Sequence, residues 1–185
     1  MGTETLILGV DPGTTIMGYA LLQVVGKNTT VLVMGEVKMT RLPDQNAKLK
    51  RIMESTRSII AQYRPDILSI EAPFFGKNPQ SMLKLGRAQG VVLATCLHAG
   101  MEVYEYSPRK IKQSITGKGS ASKEQVAAML QRMCVFPNEV KYLDSTDALA
   151  AAYCHHLQNK LPVRGERLTG WESFINKNEN RVIHK

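Results

Sequence analysis

The sequence predicts an α/β domain with a mixed five-stranded sheet flanked by helices. The first 39 residues hold three strand-like apolar runs joined by short turn-rich stretches, the pattern of an antiparallel meander. Beyond them, segments with apolar residues at helical spacing alternate with short apolar runs, which adds further strands and covering helices to the same sheet. The length of 185 residues, with 43% hydrophobic and 22% charged residues, suits one domain around a core.

Residues 6–10 are a leucine and β-branched run ending at Asp11, where Pro12-Gly13 supplies a turn; they read as a buried strand. Residues 17–25 and 30–39 read as the next two strands, separated by Gly26-Lys27-Asn28. Between Asp44 and Tyr63, Leu49, Ile52, Met53, Ile59 and Ile60 recur at mostly helical spacing among lysines and arginines. This is an amphipathic helix that Pro65 stops. Residues 67–70 form a short strand ending at Glu71, after which Pro73, Gly76 and Pro79 impose a loop. A helix is expected over 80–99 and a strand over 103–106. Pro108 opens a helix through Ile115, Ser122 caps one reaching Met133, and a last helix covers about 144–157. Residues 1–159 are thus expected to form the domain. Residues 160–185, with Pro162, two glycines, and six basic against three acidic side chains, lack periodicity and read as a mobile or loosely docked basic tail.

The formal charge of +8 and pI near 9.5 attract polyanions, nucleic acid or an anionic membrane surface. No apolar stretch approaches the ~18 residues that span a bilayer. The first residues lack the basic start and small-residue cleavage site of a secretory signal, so a cytoplasmic protein is expected. Cys96, Cys134 and Cys154 are too few and too scattered for a disulfide framework, and no C-x-x-C pair offers a zinc knuckle.

Asp11 and Glu71 each stand directly after an apolar strand, and in an open sheet two such ends can lie side by side. Asp144 and Asp147 are three residues apart, which on a helix places them on one face. Such a cluster repels itself unless a cation sits within it, and oxygen-only ligands suit Mg²⁺ or Mn²⁺ better than zinc. Two ions could then serve an in-line attack on a phosphate. Each acid also has a plainer reading. Asp11 suits a turn before Pro12-Gly13, Glu71 a local cap or pair, and Asp144 a helix cap. Asp147 opens a run of small residues, Ala148-Leu149-Ala150-Ala151-Ala152, that suits close helix packing around a buried carboxylate.

Gly9-Val10-Asp11-Pro12-Gly13-Thr14, Ile70-Glu71-Ala72-Pro73-Phe74, Lys84-Leu85-Gly86-Arg87-Ala88-Gln89-Gly90, Gly117-Lys118-Gly119-Ser120-Ala121-Ser122-Lys123 and Asp144-Ser145-Thr146-Asp147-Ala148-Leu149-Ala150 follow one another, suitably spaced, over about 6–157. Together these motifs resemble the RuvC family of Holliday-junction resolvases. The resemblance implies a ribonuclease H-like fold and a homodimer making paired, Mg²⁺-dependent nicks across four-way junction DNA during recombination and repair. It implies Asp11, Glu71, Asp144 and Asp147 as ligands to two ions, with Mn²⁺ able to substitute, and the RuvA and RuvB branch-migration complex as partner. Some relatives carry histidine at the position of Asp144. The resemblance also matches Phe74 to a base-contacting aromatic, and Lys112 and Lys123 to lysines near the scissile phosphate.

Arg109, Lys110, Lys112, Lys118 and Lys123 form a basic stretch around Gly117 and Gly119, read as flexible, which suits phosphate contacts; a solvated helix face has the same composition. Phe74 and Phe75 suit either base stacking or a core plug. Gly86 and Gly90 lie four apart on a helix, in a stripe with Leu83, Leu93 and Leu97, where a second helix could approach from the same chain or from another. His155 and His156 are expected to have surface or packing roles, and Trp171 and Phe174 could dock on the domain or a partner. Three other functions compete: a ribonuclease H-like nuclease acting on RNA, a non-catalytic junction-binding protein, and an actin-like phosphotransferase. The last shares Asp11-x-Gly13-Thr14-Thr15 but needs two domains, more than 185 residues readily supply.

Overall fold

Alternating side chains dictate the first strand. In β1 (Glu4–Asp11) Ile7 and Leu8 point to opposite faces, and both are buried, so this strand needs cover on each side. It receives that cover in a computed structural model that describes residues 4–72, 78–136 and 143–160, with the side chains of Leu143, Asp144 and Lys160 outside the description. β2 (Ile16–Val25) and β3 (Asn28–Lys38) follow as antiparallel partners, joined through Gly26 at a φ of 61°. Asn28 therefore belongs to a strand rather than to the turn. A register shift beside Leu22 leaves Leu32 without a ladder partner.

Asp44 caps α1 (Gln45–Tyr63) by accepting a hydrogen bond from the Ala47 amide. Arg64, in the left-handed region at φ 49°, ends the helix ahead of Pro65. β4 (Ile67–Glu71) then pairs in parallel with β1. After α2 (Pro79–His98), β5 (Glu102–Tyr106) pairs in parallel with β4, closing a mixed sheet of order β3-β2-β1-β4-β5. α3 (Pro108–Thr116), α4 (Lys123–Met133) and α5 (Leu143–Lys160) complete the order. Ser122 and Gln125 cap α4 reciprocally, as a capping box.

The sheet separates two apolar layers. Leu8, Val10, Leu21, Leu68 and Ile70 pack with Ile52, Ile59, Ala88 and Val92 of α1 and α2. Ile7, Ala20, Leu22 and Ile67 pack on the other side with α3, α4 and α5. Every residue from Ala148 to His156 is buried, because α5 lies between the sheet and the α3–α4 pair. All three cysteines are buried thiols, and burial pushes Cys96 to about 12 and Cys134 to about 11.

Candidate functional site

Pairing of β1 with β4 sets Val10 opposite Ile70, and Asp11 and Glu71 are the next and last residues of these two neighbouring strands. With a period of two, Ile7, Gly9 and Asp11 share a face of β1, and Ile67, Ser69 and Glu71 share the matching face of β4. That face is the one α5 covers. Two contacts hold the helix there. At Gly9 a β-carbon would collide with the Ala148 carbonyl and lie 2.9 Å from the Ala152 methyl, so glycine is what permits this approach. From β4, the buried Ser69 hydroxyl donates to the Ala151 carbonyl at 2.6 Å. Asp147, immediately before Ala148, is thereby fixed at the carboxyl ends of both strands.

The electrostatics report the same convergence. Burial raises the Glu71 carboxyl above its ordinary range, and the negative charge of Asp147 raises it further; Lys123 and Lys112 pull it down. The Asp147 side chain is 17% exposed and ion-pairs with the Lys123 ammonium. Among the described residues no three acidic, imidazole or thiol groups close around one point. The donor set nevertheless fits a hard divalent ion. Its donors would be carboxylate oxygens on rigid elements, close enough for Asp147 to raise the Glu71 pKa and with the Lys123 ammonium drawn to Asp147.

Three of the basic residues divide between two clefts. Arg109 and Lys112, one turn apart on α3, line a cleft of about 550 Å³ with Ser107, Pro108, Gly119 and Ser120. Lys118 instead lines a cleft of about 320 Å³ with Gln125, Met129 and Arg132 of α4. Arg132 carries no signal in the sequence, since a lone arginine in the last turn of a helix looks like an ordinary dipole partner. Gly117 and Gly119, expected to be flexible, have specific tasks: Gly117 ends α3 at φ 75°, and Gly119 lies against Arg109. His155 is fully buried, with its Nδ1 2.8 Å from the Tyr106 hydroxyl and its Nε2 2.9 Å from Asn159, so it packs rather than sits at the surface. Phe74, Phe75, Lys77, Trp171, Phe174, the tail beyond Lys160 and the Asp144 side chain fall outside the described residues.

A family model described as Crossover junction endodeoxyribonuclease RuvC matches residues 7–155. The chain belongs to this family. RuvC of Bacteroides fragilis is 54% identical over 181 residues, covering 97% of this chain and 96% of the relative; RuvC of Porphyromonas gingivalis is 47% identical, covering 97% of each. Thermus thermophilus RuvC in complex with Holliday junction substrate superimposes with a TM-score of 0.77 at 29% identity, covering 84% of this chain and 94% of that one. The ribonuclease H-like architecture expected from the motifs is therefore that of RuvC, and the activity that comes with it is endonucleolytic resolution of Holliday junctions by phosphodiester hydrolysis. RuvC nucleases depend on Mg²⁺.

Proposed function

We propose that Asp11, Glu71, Asp144 and Asp147 form the centre at which this chain cuts four-way junction DNA. What carries the assignment is the juxtaposition of Asp11 and Glu71 at neighbouring strand ends, beneath a helix that sets Asp147 close enough to raise the Glu71 carboxyl. These carboxylates would hold two Mg²⁺ ions, with Mn²⁺ as a substitute, whose chemistry when bound is to activate a water and to stabilise the leaving oxygen of an in-line displacement. The chain's own residues supply position and charge. β1 and β4 each fix one ligand on a rigid sheet, α5 carries the other two, and Lys112 and Lys123 bring positive charge to the side where a phosphate enters. Arg109 and Lys118 extend the contact to DNA backbone. Phe74, separated from Glu71 only by Ala72-Pro73, is assigned to base stacking on family grounds.

A homodimer follows from the substrate, because a two-fold junction needs two equivalent cuts. The α2 face supports it: Leu83 and Leu97 are 64% and 59% exposed, and Gly86 and Gly90 between them have open space where a side chain would stand. RuvA and RuvB are proposed as partners, and the cytoplasm as location, on family grounds. Among the described residues no helix is long and apolar enough to cross a membrane. The basic tail, 160–185, is proposed to add DNA affinity beside a nuclease domain of residues 1–159; an unchanged salt dependence on truncation removes that role.

The test incubates the protein with a synthetic four-way junction, a matched duplex and an RNA–DNA hybrid, in Mg²⁺ or EDTA, beside Asp11→Asn. Paired, metal-dependent nicks in the junction alone, lost in the variant while binding persists, are the expected result. Cleavage of the hybrid instead moves the activity to RNA, and binding without any cleavage leaves only a junction-binding protein.

A further inference from the structure

The cleft lined by Arg109 and Lys112 has one wall made by an absence. Gly119 lies against Arg109 so closely that a β-carbon there would stand 2.6 Å from Cγ, 3.2 Å from Nε and 3.3 Å from the Arg109 carbonyl oxygen. The first two atoms belong to the arginine side chain, so a methyl group at residue 119 pushes that side chain away from its present course. That course runs along a cleft whose other polar lining side chains are Lys112, Ser107 and Ser120, so that two cations and two hydroxyls face it, with no carboxylate among the described lining residues. Such a lining suits an anion and disfavours a cation. Lys112 also links the cleft to the candidate centre, since it is near enough to Glu71 for its charge to lower that carboxyl's pKa. Arg109 stands three residues before Lys112 on α3, hence on the same face, at on the order of 5–6 Å between β-carbons. Two cations so spaced can meet neighbouring phosphates of one strand, Lys112 at the cut and Arg109 next to it.

We propose that Gly119 is a positioning residue: it leaves room for the Arg109 stem, and so holds the guanidinium in the cleft, where it clamps a DNA backbone phosphate adjacent to the one that is cut. The proposal rests on the nuclease reading above. A guanidinium suits the task because its planar fork can donate two parallel hydrogen bonds to one phosphate, and the fork must be aimed to do so.

The test measures binding of a synthetic four-way junction in EDTA across a potassium chloride series, for wild type, Arg109→Ala, Gly119→Ala and the double variant. Arg109→Ala is expected to weaken binding about tenfold and to flatten the slope of log affinity against log salt by roughly 0.9, one phosphate's worth. Gly119→Ala is expected to flatten it similarly, and the double variant to be no worse than Arg109→Ala, because the glycine acts only through the arginine. Arg109→Lys, keeping the charge without the fork, should weaken binding at an unchanged slope. A wild-type slope in Arg109→Ala overturns the clamp, and additive losses in the double variant overturn the role of Gly119. Should Gly119→Ala melt early, the same contact predicts that adding Arg109→Ala restores the melt; failure to restore it also overturns that role. Wild-type protein that binds the junction but never cuts it in Mg²⁺ refutes the nuclease reading separately, while the slopes still decide the clamp.

Discussion

Glu71 is the residue whose protonation reports the site. Burial and Asp147 both favour its neutral form, so the folded protein binds its proton more tightly than the unfolded chain does. Between the ordinary value near 4.5 and the raised folded value, stability therefore falls as pH rises, and above the folded value the whole cost is present. Glu71→Gln should accordingly melt higher than wild type at pH 7 without metal, the difference vanishing as pH drops below 4.5; a gap that widens on acidification would refute the raised pKa. Asp11→Asn tests the other strand end. It should lower cleavage on the order of a hundred- to a thousandfold and leave junction binding in place, measured by gel shift beside the nicking assay. The place of both acids was legible in the sequence because an apolar run ends visibly, and the residue that closes it stands at the carboxyl end of its strand. The Asp147–Lys123 ion pair was not: the partners are 24 residues apart on separate helices, and no periodicity links two charges across a tertiary contact.

At the scale of elements, the bond between α5 and the sheet decides whether the acids meet. Gly9→Ala forces the helix off β1 and should cost about 1–3 kcal/mol, with cleavage falling further than the loss of folded protein explains; calorimetry beside specific activity separates the two. Ser69→Ala removes one hydrogen bond to a carbonyl that stays within its helix, and should cost only about 1 kcal/mol. Element order and type were legible throughout, with ends displaced by one to three residues, as at α5, which continues to Lys160. The uses of glycine were not. Gly9 reads as part of an apolar strand and Gly119 as a hinge, because a sequence records that a side chain is missing but not what occupies the space. His155 was equally opaque: its hydrogen-bonding partners Tyr106 and Asn159 come from β5 and from its own helix, and its ring packs 4.3 Å from that of Tyr104, also of β5.

Across the whole molecule, the exposed stripe of α2 lies on the face of the sheet opposite α5, so the candidate cutting centre and the proposed pairing surface occupy different layers. Leu83→Glu combined with Leu97→Glu should convert a dimer to monomers in analytical ultracentrifugation and paired nicks to single ones, leaving the rate of a first nick within about threefold, since exposed positions away from a site perturb it little. The mixed sheet was legible, but its strand order was not: nothing in β4 announces that it inserts between β1 and β5 rather than at the edge beside β3. That order places β1 in the middle of the sheet and α5 under two further helices, with the acids carried by the most enclosed parts of the chain. Amide protons at Val10, Ile70 and Ala151 should hence exchange with solvent only through global opening, as slowly as any in the protein. Loss of cutting on heating should then trace the same curve as loss of fold, leaving no temperature range in which an intact domain carries a dismantled centre.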